Sequence, residues 1–151
     1  MPVAIVLHLL AAVVWVGGMF FAYVVLRPVA ATFLEPPQRL PLWAQAFARF
    51  FVWVWAAVVL LPVTGYAMLF MHYGGMFAAP LFINIMQALA WVMIAVYLFV
   101  YFIPYPQLRK TVAARDFPAA AKALAQIRKL IAFNLGVGVV TICVAAGGRF
   151  L

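Results

Sequence analysis

Residues 81–103 read LFINIMQALAWVMIAVYLFVYFI, a run without a single Asp, Glu, Lys or Arg. Apolar and polar positions do not alternate in it, so it is not a half-buried strand. About twenty such residues are what a helix needs to cross the ~30 Å hydrocarbon core of a bilayer. Lipid offers no water to unpaired backbone groups, which restricts spanning segments to helices and closed barrels. Working outward, three further runs qualify: residues 3–26, 50–72 and 130–148. The expected fold is all-α, an integral membrane four-helix bundle of up-down-up-down topology. It forms a single domain over residues 1–151, with connectors at 27–49 and 104–129.

Composition agrees. The chain is 71% hydrophobic and 8% charged, whereas a soluble domain carries roughly a quarter charged residues. The first apolar run has no Lys or Arg before it and is longer than a signal-peptide core, so it reads as a retained helix. Arg27-Pro28 is expected to stop that span, Pro62 to kink the second, and Gly74-Gly75 to turn the chain toward Pro80. Asp116-Phe117-Pro118 reads as a helix start, and the basic helix after it is expected to run into the fourth span.

The net charge of +8 resides in the connectors. Arg27, Arg39 and Arg49 fall in the first, and Arg109, Lys110, Arg115, Lys122, Arg128 and Lys129 in the second. The turn between spans two and three has none. This pattern speaks for orientation and for contact with membrane lipids, not for nucleic acid, because no base-stacking aromatics are interleaved with the cations. The positive-inside bias puts both connectors in the cytoplasm and both termini outside. A lone cysteine, Cys143, excludes an internal disulfide. No carboxylate pair, serine triad, phosphate loop or zinc signature is present, so hydrolytic chemistry is not expected.

Polar side chains within spans are costly and often mark function. His8, Ala12, Trp15 and Met19 share one helical face, as do Gly65, Met68 and His72. Asn84, Gln87 and Trp91 form a polar-aromatic stripe on span three. Asn134, Gly138, Thr141 and Ala145 form a small-residue stripe on span four, suited to close packing. His8 and His72 are candidate metal or haem ligands at the outer side. Met68, Met71 and Met76 surround His72 with thioethers, which suit Cu(I), and Gln87 is a candidate to orient an imidazole. Each residue also has a structural reading: His8 bonded to Gln87, Asn84 or a backbone carbonyl, Trp15 as packing, and the methionines as fillers.

The stretch from His8 to Phe21 (HLLAAVVWVGGMFF) with Leu26-Arg27-Pro28 resembles the first helix of the copper-resistance protein D (CopD) family of bacterial membrane proteins. Leu60-Leu61-Pro62-Val63-Thr64-Gly65 resembles that family's second helix. Ile127-Arg128-Lys129, Asn134-Leu135-Gly136 and Gly147-Gly148-Arg149 resemble its closing helix. The resemblance implies copper uptake or handling at the bacterial inner membrane; with copper as the ion, His8 and His72 are its candidate ligands, and Met68, Met71 and Met76 feed the outer mouth of the site. Larger family members have more spans and stand beside a periplasmic copper protein, which implies such a partner here. The first-helix pattern is also similar to HemJ, the membrane protoporphyrinogen oxidase. That family carries a lysine in its third helix, and residues 81–103 contain none. The second likeness therefore implies a haem-b-binding membrane redox protein, with His8, His72, Gln87 and Trp15 around the haem. A third expectation is a non-catalytic subunit whose small-residue faces join a larger membrane complex or a homo-oligomer.

Overall fold

Arg27-Pro28 does not end the first helix. In the computed structural model, which describes residues 1–150, α1 (Pro2–Phe20) widens into a π turn (Phe21–Leu26) and continues as α2 (Arg27–Phe33). Pro28 lies inside this continuous rod, where it has no N–H for the ladder, and the π turn just before it accommodates the gap. The wide turn leads into it through a five-residue bond, with the Arg27 N–H donating to the Ala22 carbonyl.

Proline explains the second departure too. α3 covers Pro36–Tyr73, so the first connector is mostly helix and not a polar loop. Glu35 is extended and Pro36 opens the helix, a position that its fixed φ favours. The 38 residues of α3 rise about 57 Å at ~1.5 Å each, against a hydrocarbon core of ~30 Å. Its first third therefore extends past the apolar zone, at the end that carries Arg39. After α3, Gly74 takes the left-handed conformation (φ 76°) and its N–H returns to the Phe70 carbonyl, as a helix-ending glycine does.

Pro104 divides the third rod into α4 (Leu81–Phe102) and α5 (Pro104–Ala113). α6 (Phe117–Gly147) starts where expected, with Asp116 Oδ1 accepting from the Ala119 N–H at 3.3 Å. The basic stretch runs unbroken into the fourth span, and a short 3₁₀ turn (Gly148–Phe150) follows. The Arg149 side chain and Leu151 lie outside the described residues. No strand occurs among the described residues, and four rods are long and apolar enough to cross a membrane.

The rods pack as two pairs, α1 with α3 and α4 with α6, joined mainly through α6. Gly138 lets α6 come close to both pairs: a Cβ there would stand 3.0 Å from Val16 Cγ2 and 3.1 Å from Met93 Cε. Next to it, buried Asn134 donates from Nδ2 to the Met93 carbonyl at 3.2 Å. The small-residue stripe thus does pack closely, as α6 seats against both α1 and α4. α3 and α4, although consecutive, keep their backbones apart: aromatic pairs such as Phe51–Tyr97 and Trp55–Tyr101 join them toward the basic end, and toward the Gly74 end a Trp91 Nε1 to Tyr66 hydroxyl bond of 3.2 Å spans the space.

The tightest core lies toward the basic end. Leu40, Leu108 and Ile127 are fully buried there, beside Tyr105 and Trp43. From it a line of aromatic contacts, Trp43–Phe47–Phe51–Tyr97–Trp15, runs up the bundle at centroid spacings of 5.3–6.1 Å. Large apolar side chains such as Val3, Val63 and Val52 are more than 60% exposed. In water that would be untenable. In lipid it is the expected outward face, since only a small share of a span needs protein neighbours.

Candidate metal-binding cavity

The loose contact between α3 and α4 leaves a cavity of about 320 Å³ between the two helix pairs, toward the Gly74 end. That is the low end of the range for small-ligand sites. His8, Trp15 and Gln87 all border it. Sequence reasoning placed these three together, and the structure brings them to one space. Met86, Met93, Tyr66 and Trp91 complete its chemistry-bearing wall.

His8 is half-buried, and its Nδ1 lies 2.8 Å from Thr64 Oγ1. Thr64 Oγ1 is also 2.5 Å from the Leu60 carbonyl oxygen, one helical turn back. Two oxygens at that distance need a proton between them, so the single hydroxyl hydrogen goes to Leu60. Thr64 then accepts from His8, which puts the proton of a neutral ring on Nδ1 and leaves Nε2 with its lone pair. This tautomer is assigned from the hydrogen-bond geometry. The Leu61 carbonyl is a further acceptor beside the ring. The arrangement depends on Gly65, because a Cβ there would stand 3.3 Å from His8 Cε1. Any side chain at this position would press on the imidazole where α1 and α3 meet.

Gln87 does not touch His8. Its Oε1 and Nε2 are both buried and find no hydrogen-bond partner in the protein, an arrangement that costs about 1–3 kcal/mol per orphaned group. The role expected of Gln87, holding the imidazole, falls to Thr64. Asn84 is turned elsewhere, its Nδ2 donating to the Met76 carbonyl at 3.4 Å and so tying down the glycine turn.

His72, Met68, Met71 and Met76 do not border the cavity. His72 is exposed and meets the Tyr73 ring edge-on, with centroids 4.8 Å apart. It stands seven residues beyond Gly65 on α3, about 10 Å farther along the axis at ~1.5 Å per residue. Two imidazoles so placed cannot share one metal ion. Met68 bridges the interval, since Thr64, Met68 and His72 recur every four residues and line one face. Met71 and Met76 are largely exposed. Among the described residues no group of three His, Cys, Asp or Glu side chains is gathered for a metal.

A family model described as copper resistance protein D matches residues 44–147, more than half of the chain. The chain belongs to the copper resistance protein D family. The match covers most of α3 and all of α4 and α5, and it ends with α6. His8 and the first-helix pattern precede it, so the family assignment stands independently of them. No curated protein and no solved structure gives a significant match. In this copper resistance protein D family member, Thr64, Met86 and Met93 are the site residues that sequence reasoning passed over. Thr64 carried a signal, being the one aliphatic hydroxyl in the second span, two residues after Pro62. The two methionines carried none, because methionine is an ordinary filler of apolar helices.

Proposed function

We propose that this protein handles copper in the bacterial inner membrane, taking Cu(I) at the His8 cavity. The observation that carries the reading is the His8–Thr64–Leu60 chain, which fixes an unprotonated Nε2 on a residue bordering a cavity that also holds Met86 and Met93. One imidazole with thioethers is a donor set that fits a soft monovalent ion and tolerates its low coordination number. The unpartnered Gln87 amide is consistent with a polar guest, a metal-bound water among them. In this reading the positive-inside bias sets the Gly74 end outward. His72 and the exposed Met71 and Met76 then collect the ion, and Met68 passes it inward to His8. Fitness for copper is thus spread along α3 and not concentrated in one pair of histidines.

The test is Cu(I) affinity of the purified protein in detergent, measured by competition with a chromophoric Cu(I) chelator. His8→Ala is expected to weaken the tight site by about 100-fold or more, because it removes the only nitrogen donor. His72→Ala is expected to change that affinity less than about threefold, the two sites being separated by more than direct coupling reaches. Undiminished binding in His8→Ala would remove the proposed site. An absorption spectrum of the same sample discriminates the haem alternative, which requires a Soret band.

A further inference from the structure

At the end of the bundle away from His8, three guanidinium groups converge from three separate elements. Arg27 follows the π turn, Arg39 lies in the opening turn of α3, and Arg128 belongs to α6. Together they border a pocket of about 260 Å³. Its wall includes Tyr23, Trp43 and Phe47. Arg27 Cζ stands 4.5 Å from the Tyr23 ring centroid, a cation–π contact that holds the guanidinium in place. Arg39 makes only a long bond of 3.4 Å to the Leu34 carbonyl.

Among the described residues no carboxylate comes within ion-pair distance of any of the three arginines. The chain has just two acidic residues, Glu35 and Asp116, and Asp116 is engaged in capping α6. Three like charges gathered without a counter-ion repel one another; Arg128 is exposed, but half-burial of Arg27 and Arg39 raises that cost. Topology alone does not require this convergence. Cations spread over the surface would set orientation equally well, as exposed Arg109, Lys110, Lys122 and Lys129 do. The convergence needs an anion.

The shape of the pocket narrows the choice. Arginine forks match the paired oxygens of phosphate. Beneath them the floor is apolar and buried, formed by Leu40, Trp43 and Phe47. Beside the pocket, Val24, Val25 and Val29 on the rod that carries Tyr23 and Arg27 are exposed and apolar, a flank that the acyl chains of an amphiphile would cover and a soluble anion would not. We propose that this pocket binds the headgroup phosphate of an anionic phospholipid. The three guanidiniums hold the phosphate, and the acyl chains lie along the exposed apolar flank of the first rod. The π turn serves the site by carrying Tyr23 and Arg27 to its rim.

The experiment titrates the full chain, purified in a neutral detergent, with phosphatidylglycerol, phosphatidylcholine or inorganic phosphate, and reads bound adducts by native mass spectrometry. The wild type is expected to prefer phosphatidylglycerol over phosphatidylcholine by about tenfold or more. The triple variant Arg27→Gln, Arg39→Gln, Arg128→Gln loses that preference. A control triple, Lys110→Gln, Lys122→Gln, Lys129→Gln, removes the same charge at the same end and keeps the preference within about twofold. The charge-preserving triple Arg27→Lys, Arg39→Lys, Arg128→Lys is expected to lose most of it, since an ammonium cannot make two parallel bonds. That variant carries the test if the glutamine triple does not elute as a folded species. Equal loss from the pocket and control triples would overturn the proposal in favour of diffuse attraction. Displacement of the lipid by inorganic phosphate at comparable concentration would overturn it in favour of a soluble anion.

Discussion

Thr64→Val is the sharpest probe of the His8 cavity, because it keeps the shape of the side chain and removes only the hydroxyl. In the native protein that hydroxyl accepts from His8 Nδ1 at 2.8 Å and donates to the Leu60 carbonyl at 2.5 Å. Without it the imidazole loses its anchor, and neither nitrogen is committed to carrying the proton. An unsatisfied buried polar group costs about 1–3 kcal/mol. Loss of an orienting partner behind a ligating histidine typically weakens metal binding about 10–100-fold, which is ~1.4–2.7 kcal/mol and falls in the same interval. Chelator competition should therefore show Cu(I) affinity falling by one to two decades, roughly, in Thr64→Val. Thr64→Ser, which retains the hydroxyl, should recover most of the loss. Nitrogen NMR of labelled histidine gives a second readout: the wild type should show the Nδ1–H tautomer, and the valine variant a mixture. A folded Thr64→Val protein with native affinity and native tautomer would refute the reasoning, and so would a serine variant as weak as the valine one.

Gly138→Leu should destabilise the bundle by at least about 1–3 kcal/mol, since even a Cβ there meets Val16 and Met93 near 3 Å; reversible unfolding in mixed micelles measures it. Arg115 is the one described non-glycine residue with positive φ (55°), so Arg115→Gly should stabilise by about 1 kcal/mol in the same assay. Asp116→Ala removes the side-chain cap of α6 and should cost about 1 kcal/mol, with faster amide exchange in the first turn after Phe117 as its local signature.

Much of this architecture was legible because a bilayer imposes its demands residue by residue. A run such as 81–103 must be helical wherever it sits, since its backbone can be satisfied only from within. The start of α6 was legible for a local reason as well: Asp116 and Pro118 act on the backbone beside them. Prolines were read less well. Arg27-Pro28 and Pro36-Pro37 suggested breaks, yet Pro28 sits inside a rod that a π turn carries past it, and Pro36-Pro37 fall in the opening turn of α3, where no N–H is needed. Only the continuation of the helix on either side distinguishes a proline that starts a helix from one that ends it.

The sequence by itself determined the solvent, the four rods, the end that carries the charge and the family likeness, all properties of composition and short-range order. Tertiary structure decided which polar groups meet. His8 and Gln87 border one cavity without touching, Thr64 takes the imidazole, and His72 stands about two turns away, because helix pairing and register set these distances. Three arginines far apart in the chain converge on one pocket for the same reason. A side chain's chemistry is written locally, but its partner is chosen by how neighbouring helices pack, down to glycines that let them approach.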